Sequence, residues 1–357
     1  MRSLPQVIDH LRQQQGITGI RWEILIVDNN STDTTQATTA ALQAGWTQAG
    51  WGPHQVPLRY CFEPRQGLAF ARQRAIEAAQ GRWVGFLDDD NWPDPDWVAQ
   101  VHRFAQAHPE VAAFGSCIRA HYDSLPPSEL RVLEPFLAIR DHGETLYPFE
   151  PEALRLPPGA GLVVDRQRWL ASVPADLGLT GRVGDRQVSG EDSAVLLYLH
   201  RGGSGGSKGL AKPIAYNPAQ KIRHCLPARR FEVEALLKLA YGIGLATCKL
   251  RWIQAPQRLA QLALAIQTGL GGAKRFWQEL DRAQTEDSEL VTRFYLMFHL
   301  GSALSPLYAL SPRLAMPRSV AQALMDGLLN LRRQGWVRSS GRLASPSSAG
   351  SLGLGTD

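Results

Sequence analysis

Only four cysteines occur in 357 residues, Cys61, Cys117, Cys225 and Cys248, with no CxxC pair and no His/Cys cluster among them. That spacing excludes a disulfide framework and a zinc knuckle, and it fits a reducing compartment. Long hydrophobic runs are also missing. The longest, Leu239–Cys248, is ten residues bracketed by Lys238 and Lys249, too short to cross a bilayer. Residues 1–20 are polar and helix-like, without the apolar centre of a signal peptide. No glycine-rich basic phosphate loop stands near the first strand pattern, no nucleic-acid reading motif accompanies the basic residues, and no internal repeat is present. What is there suits a sizeable globular core: 44% hydrophobic and 20% charged residues.

The net charge of +5 is uneven. Residues 201–260 hold eleven Lys/Arg and two Asp/Glu, a net of +9, which leaves −4 for the rest. A local basic excess suits phosphates or anionic lipid headgroups, with a solvated helix face as the plainer alternative.

Strand and helix patterns alternate in the first half. Glu23–Asp28 (EILIVD), Pro57–Phe62 and Arg82–Leu87 read as strands. A helix near Asp33, another over Gly67–Ala79 and a third over Pro95–Ala107, capped by Asp94, fall between or after them. This order predicts βαβ units, an α/β fold with a mainly parallel sheet, and ligands at the carboxyl ends of its strands. Gly159–Val164 reads as a further strand and Gly202–Ser207 as a flexible loop. From Arg229 the apolar spacing is helical, and from Ser339 the Ser/Gly-rich tail reads as disordered. The expected division is 1–228, an α/β domain; 229–338, a helical extension; and 339–357, the tail.

Three clusters carry chemistry. In Phe86-Leu87-Asp88-Asp89-Asp90-Asn91-Trp92-Pro93-Asp94, three consecutive carboxylates stand where a hydrophobic strand stops. Such packing is costly without a cation, and hard oxygen donors select Mg²⁺ or Mn²⁺. Helix capping does not account for Asp88–Asp90, because Asp94 already fills that position. In Val27-Asp28-Asn29-Asn30-Ser31-Thr32-Asp33, Asp28 ends a strand and is placed to accept from a nucleobase N–H, while Asn30 or Ser31 serves equally well as a helix cap. In Ser189-Gly190-Glu191-Asp192, Asp192 is either the acid of a capping box with Ser189 or a general base for an acceptor hydroxyl.

Taken in this order, VDNNSTD, the segment from Gly67 through Arg72 to Arg74, FLDDDNWPDPDW and the late Gly190-Glu191-Asp192 resemble family-2 glycosyltransferases of the GT-A fold, bacterial polysaccharide-biosynthesis type. A piece from His224 to Arg230, followed by Ala240-Tyr241-Gly242, resembles the end of their catalytic domain. The resemblance covers about residues 1–250. It implies a Rossmann-like GT-A sheet flanked by helices, with a C-terminal helical extension. It further implies that Asp28, Asn30, Gly67, Arg72, Asp88, Asp89, His224 and Arg230 bind a nucleotide-diphosphate sugar, most commonly a UDP-sugar. Asp90 and Asp88 would hold Mn²⁺ or Mg²⁺, with Asp192 the catalytic base and Glu191 an acceptor contact. The implied reaction is an inverting transfer of a single sugar to a saccharide or lipid-linked acceptor in envelope or extracellular polysaccharide synthesis. Cys248 stands where processive members of the family carry Gln, three residues before Arg251-Trp252. The implied location is cytoplasmic, with peripheral contact at the inner face of the plasma membrane through residues 201–260, and without nucleic acid.

One departure is expected to matter. Family members open with a strand of the VVIxTYNR type, whereas this sequence opens on what looks like the following helix, so the fold is expected to lack a buried strand and to bind its donor weakly. The competing readings are a catalytically impaired nucleotide-sugar-binding protein and a sugar nucleotidyltransferase.

Overall fold

The computed structural model describes residues 3–48, 56–183, 186–202, 211–255, 257–283 and 289–334. The expected tail and most of the Gly202–Ser207 loop lie outside them. In chain order the elements are α1 (Ser3–Arg12), β1 (Ile24–Asp28), α2 (Thr35–Gln48), β2 (Leu58–Phe62), α3 (Leu68–Ala78), β3 (Trp83–Gly85), β4 (Asn91–Pro93), α4 (Trp97–Ala107), β5 (Ala113–Tyr122), β6 (Tyr147–Pro148), β7 (Val163–Asp165) and α5 (Arg166–Ser172). They continue as β8 (Arg182–Val183), β9 (Arg186–Gln187), α6 (Glu191–Arg201), β10 (Ile214–Leu226), α7 (Val233–Gln254), α8 (Arg258–Arg282), α9 (Glu289–Leu310) and α10 (Arg318–Arg333).

The fold is α/β as expected, but its strands form separate sheets. β1 and β2 pair in parallel, with Ile24 opposite Leu58 and Asp28 opposite Phe62. Alternation along β1 turns Ile24 and Ile26 inward, where Val7, Ile8 and Leu11 of α1 meet them together with Trp46 and Val56. A second sheet of six strands runs β3-β7-β5-β10-β4, with β6 also on β10. It is mixed rather than mainly parallel: β5 and β10 are parallel, and the other ladders are antiparallel. The reason lies in β7 and β4, short returns reached by loops rather than by crossover helices. Among the described residues, β1 pairs only with β2 and β3 only with β7, and both β1 and β3 border the same cleft.

Local corrections follow from hydrogen bonding. The helix after the acidic run starts at Trp97 rather than Pro95, and Asp96 is its cap residue, without a side-chain capping bond. Asp94 instead faces Arg223 of β10 at 3.5 Å. Asn91–Pro93, to which the sequence pattern assigns no element, is strand β4. Neither Asn30 nor Ser31 caps α2; Asp33 Oδ1 accepts from Thr35 N–H at 3.0 Å and from the Thr35 hydroxyl. Asn30 lies in the left-handed region, φ 57°, where asparagine is tolerated better than most residues.

The helical extension shares its main apolar cluster with the sheet side. Buried residues of the sheet side, such as Ile76 and Trp169, belong to one apolar cluster with Leu237, Phe294 and Met325. The division expected at residue 228 therefore cuts no boundary in the packing. α7 and α9 touch backbone to backbone: a Cβ on Gly244 would stand 2.3 Å from the Phe298 carbonyl oxygen, and one on Gly301 would stand 2.6 Å from that of Tyr241. Both obstacles are main chain, so a methyl there forces the helices apart. Gly244→Ala is expected to cost about 2–3 kcal/mol of stability, read as a lower denaturant midpoint; an unchanged midpoint would show that the helices slide without penalty.

Candidate active site

A cleft of about 1010 Å³ opens over the ends of β1 and β3 and is lined by Asp28, Arg72, Asp88, Asp89, Asp90, Glu191, Asp192, His224 and Arg230. Five distant chain segments thus deliver nine of the eleven residues expected from sequence. Gly67 and Asn30 are the exceptions. Gly67 caps α3 at φ 136°, and its N–H donates to Asn29 Oδ1 at 2.7 Å. Asn29 also donates through Nδ2 to the Arg65 carbonyl at 2.6 Å, so it ties the β1 loop to the loop after β2.

Asp28 is buried at the end of β1. Its Oδ1 accepts from Ser31 N–H and its Oδ2 from the Tyr60 hydroxyl, both at 2.9 Å. Burial alone would raise its pKa, but the bonds from Ser31 and Tyr60 outweigh it and hold the carboxyl below its ordinary value. Asp28 is therefore a charged anchor of the loop as well as part of the cleft wall.

The acidic run is held against β10. Asn91, fully buried, pairs with His224 in the β4–β10 ladder, and its Oδ1 accepts from Asp88 N–H at 3.2 Å while its Nδ2 donates to Asp90 Oδ1 at 3.0 Å. Cys225 N–H donates to the Asp90 carbonyl at 2.9 Å. These bonds turn Asp90 Oδ2 toward Arg230 Nη2 at 3.2 Å and His224 Nε2 at 3.5 Å. Burial pushes Asp90 up, yet His224 and Arg230 prevail and keep it below the usual carboxylate range. Asp88 goes the other way. Burial raises it, Arg72 opposes that, and the neighbouring Asp90 adds to the rise.

The second wall is an ion pair that sequence reading did not foresee. Buried Arg72 Nη1 lies 3.3 Å from buried Glu191 Oε1, and its guanidinium sits 5.8 Å from the centre of the Phe86 ring. Gly159 makes room for it, since a Cβ there would fall 2.0 Å from Arg72 Nη2. Gly159 N–H in turn donates to Asp192 Oδ2 at 2.9 Å, while Asp192 Oδ1 accepts from Ser193 N–H at 2.7 Å. The capping-box reading of Ser189 and Asp192 is not realised: Gly190, φ 122°, is the cap residue of α6 without a side-chain bond. Asp192 instead looks across the cleft toward the loop that carries Gly159.

Do these groups suit a divalent cation? Among the described residues, no three His, Cys, Asp or Glu side chains form a ready-made metal cluster. The donor set nevertheless fits one. Asp88 is a carboxylate that burial and the neighbouring Asp90 push toward the neutral form, and His224 Nδ1 is buried without a hydrogen-bond partner among the described residues.

Comparison with known proteins follows the same line. Residues 2–151 match the model described as glycosyl transferase family 2. The chain is similar to the succinoglycan biosynthesis protein ExoM of Rhizobium meliloti (strain 1021), 23% identical over 226 residues, covering 63% of each protein. It is also similar to the lipopolysaccharide core biosynthesis glycosyltransferase LpsC of the same organism, 40% identical over 68 residues, covering 19% of this chain and 22% of LpsC. The chain thus spans less than two thirds of the length of either relative. Among solved structures, the mannosyltransferase PcManGT from Pyrobaculum calidifontis, in complex with GDP-Man and Mn²⁺, is 17% identical with a TM-score of 0.49, covering 87% of this chain and 84% of its own. S. aureus TarS 1–349 in complex with UDP is 13% identical with a TM-score of 0.45, covering 94% and 89%. The similarity to glycosyl transferase family 2 spans residues 2–151, less than half of the chain.

Proposed function

We propose that this chain transfers a single sugar, with inversion, from a nucleotide-diphosphate sugar to a hydroxyl of a saccharide or lipid-linked acceptor in polysaccharide synthesis. The observation that carries the reading is convergence. An acidic run, two arginines, a histidine and a separate carboxylate meet in one cleft, although Arg72 and Arg230 are 158 residues apart in the chain.

Each group has a role that its surroundings support. Asp28, with the loop it anchors, borders the region for the base, Arg72 and Arg230 supply positive charge for the diphosphate, and His224 borders it. Asp90 and Asp88 would hold Mn²⁺ or Mg²⁺, which when bound neutralises charge on the leaving diphosphate. Asp192 takes the proton from the incoming hydroxyl, and that hydroxyl approaches the anomeric carbon from the side opposite the leaving group. Glu191, fixed by Arg72, holds α6 so that Asp192 keeps its place, and borders the acceptor region.

A thermal-shift titration with UDP, GDP, dTDP and ADP, with and without Mn²⁺, tests this on the wild-type chain and on Asp90→Ala. One nucleotide is expected to raise the melting temperature only with Mn²⁺, and Asp90→Ala to remove the rise. A nucleotide shift that is equal in the variant would take Asp90 out of the donor site. The break between β1 and β3 favours a second reading, a nucleotide-sugar-binding protein with impaired turnover; donor binding without transfer or hydrolysis would select it.

A further inference from the structure

α8 carries an apolar stripe that the rest of the described chain leaves open. Leu259, Leu262, Ile266 and Leu270 are 82%, 59%, 56% and 67% exposed. Their spacing of three and four residues puts them on one side of the helix. Ala265, Thr268, Gly272 and Phe276, on another side, are buried. The buried side is fixed against α9: a Cβ on Gly272 would touch the backbone of Ala303, and Ala265 shares a small cluster with Ala309. Leu310, next to Ala309 and 69% exposed, therefore emerges beside the stripe, with Leu314 following at 56%.

Charge says what this face meets. No Asp or Glu occurs from residue 235 to 278 or from 290 to 325. Arg258, Lys274, Arg275 and Arg313 are exposed on the same elements or in the turn after α9. Two copies meeting through such a face would oppose cations to cations, whereas an anionic surface is complementary to it. Apart from Arg258, the basic excess of residues 201–260 is not this face. Much of it is engaged elsewhere, Lys221 with Glu144, Arg223 with Asp94 and Arg230 with Asp90, and α7 is largely core.

We propose that the α8 stripe with Leu310 and Leu314 seats the protein on an anionic lipid bilayer. The apolar side chains enter the boundary between headgroups and acyl chains, and Arg258, Lys274 and Arg313 pair with lipid phosphates. This holds whichever reaction the cleft performs.

The test is co-sedimentation of the full chain with phosphatidylcholine vesicles and with mixed phosphatidylcholine–phosphatidylglycerol vesicles. Binding is expected to the mixed vesicles only, and to weaken with salt. The double variant Leu262→Ser, Ile266→Ser is expected to lose about tenfold in partitioning at an unchanged melting temperature. Arg258→Gln with Arg313→Gln is expected to weaken binding and flatten its salt dependence. No binding to mixed vesicles, or equal binding by the leucine variant, would overturn the proposal. So would a dimer in light scattering that the leucine variant abolishes, which would assign the stripe to a second copy.

Discussion

Asp192→Asn is expected to lower the rate of sugar transfer by about three orders of magnitude, in the range that general-base removal produces, while leaving nucleotide binding within about twofold. The two properties separate because, among the described residues, Asp192 has no hydrogen bond to the acidic run. Its bonds go to Gly159 N–H and Ser193 N–H. Asparagine keeps the shape and can still accept from one of those donors, but it cannot take a proton from an acceptor hydroxyl. The second donor then faces an amide N–H₂, so a stability loss of about 1–2 kcal/mol is expected as well. Assaying below the variant's melting temperature separates that loss from chemistry. Transfer at more than a tenth of the wild-type rate would remove Asp192 as the base and point to another acceptor-side group, with Glu191 next in line.

A five-residue apolar extended segment placed ahead of α1 is expected to raise the melting temperature by on the order of 10 °C and to tighten nucleotide binding. β1 and β3 each present an edge without a ladder among the described residues, and Leu25, Val27, Trp83 and Val84 line the cleft between them. Leu4, near the start of α1, lines it too, so a segment entering α1 would pass between the edges. Two ladders at about 1 kcal/mol net per hydrogen bond, plus the burial of those side chains, amount to several kcal/mol. In a chain of this size each kcal/mol moves the midpoint by roughly 2–4 °C. The same extension made of Gly and Ser is the control. Equal midpoints for the two extensions would mean that the edges do not accept a strand.

How much of this was legible beforehand depends on sequence distance. The EILIVD strand, the acidic run at a strand end and the helix over residues 68–78 follow from local pattern, because hydrophobic alternation and chain stops are local properties. Arg72 against Glu191 is not local: 119 residues separate them, and nothing in either neighbourhood announces a buried pair. The same holds for Gly159, whose missing side chain is needed only because Arg72 arrives from α3. Asn91 was overlooked for a different reason. It carries no charge of its own beside three aspartates, yet its amide is the brace that orients two of them. The sheet was misjudged because strand–helix alternation implies parallel pairing only while it lasts, and after α4 the chain returns through loops.

The contacts around α7 bear on how such proteins can be recombined. A Cβ on Gly190, the residue before Glu191, would come within 3.1 Å of Ala246 Cβ, and Lys249 donates to the Gly178 carbonyl. The loops flanking the proposed base thus rest on the helical lobe, in the same apolar cluster as Leu179 and Leu245. Exchanging that lobe with a relative's at residue 228, to alter the acceptor, would replace the bed on which Asp192 is set. A workable chimera would have to carry the 178–192 stretch along with α7, because inheritance of the base and inheritance of the lobe are mechanically linked.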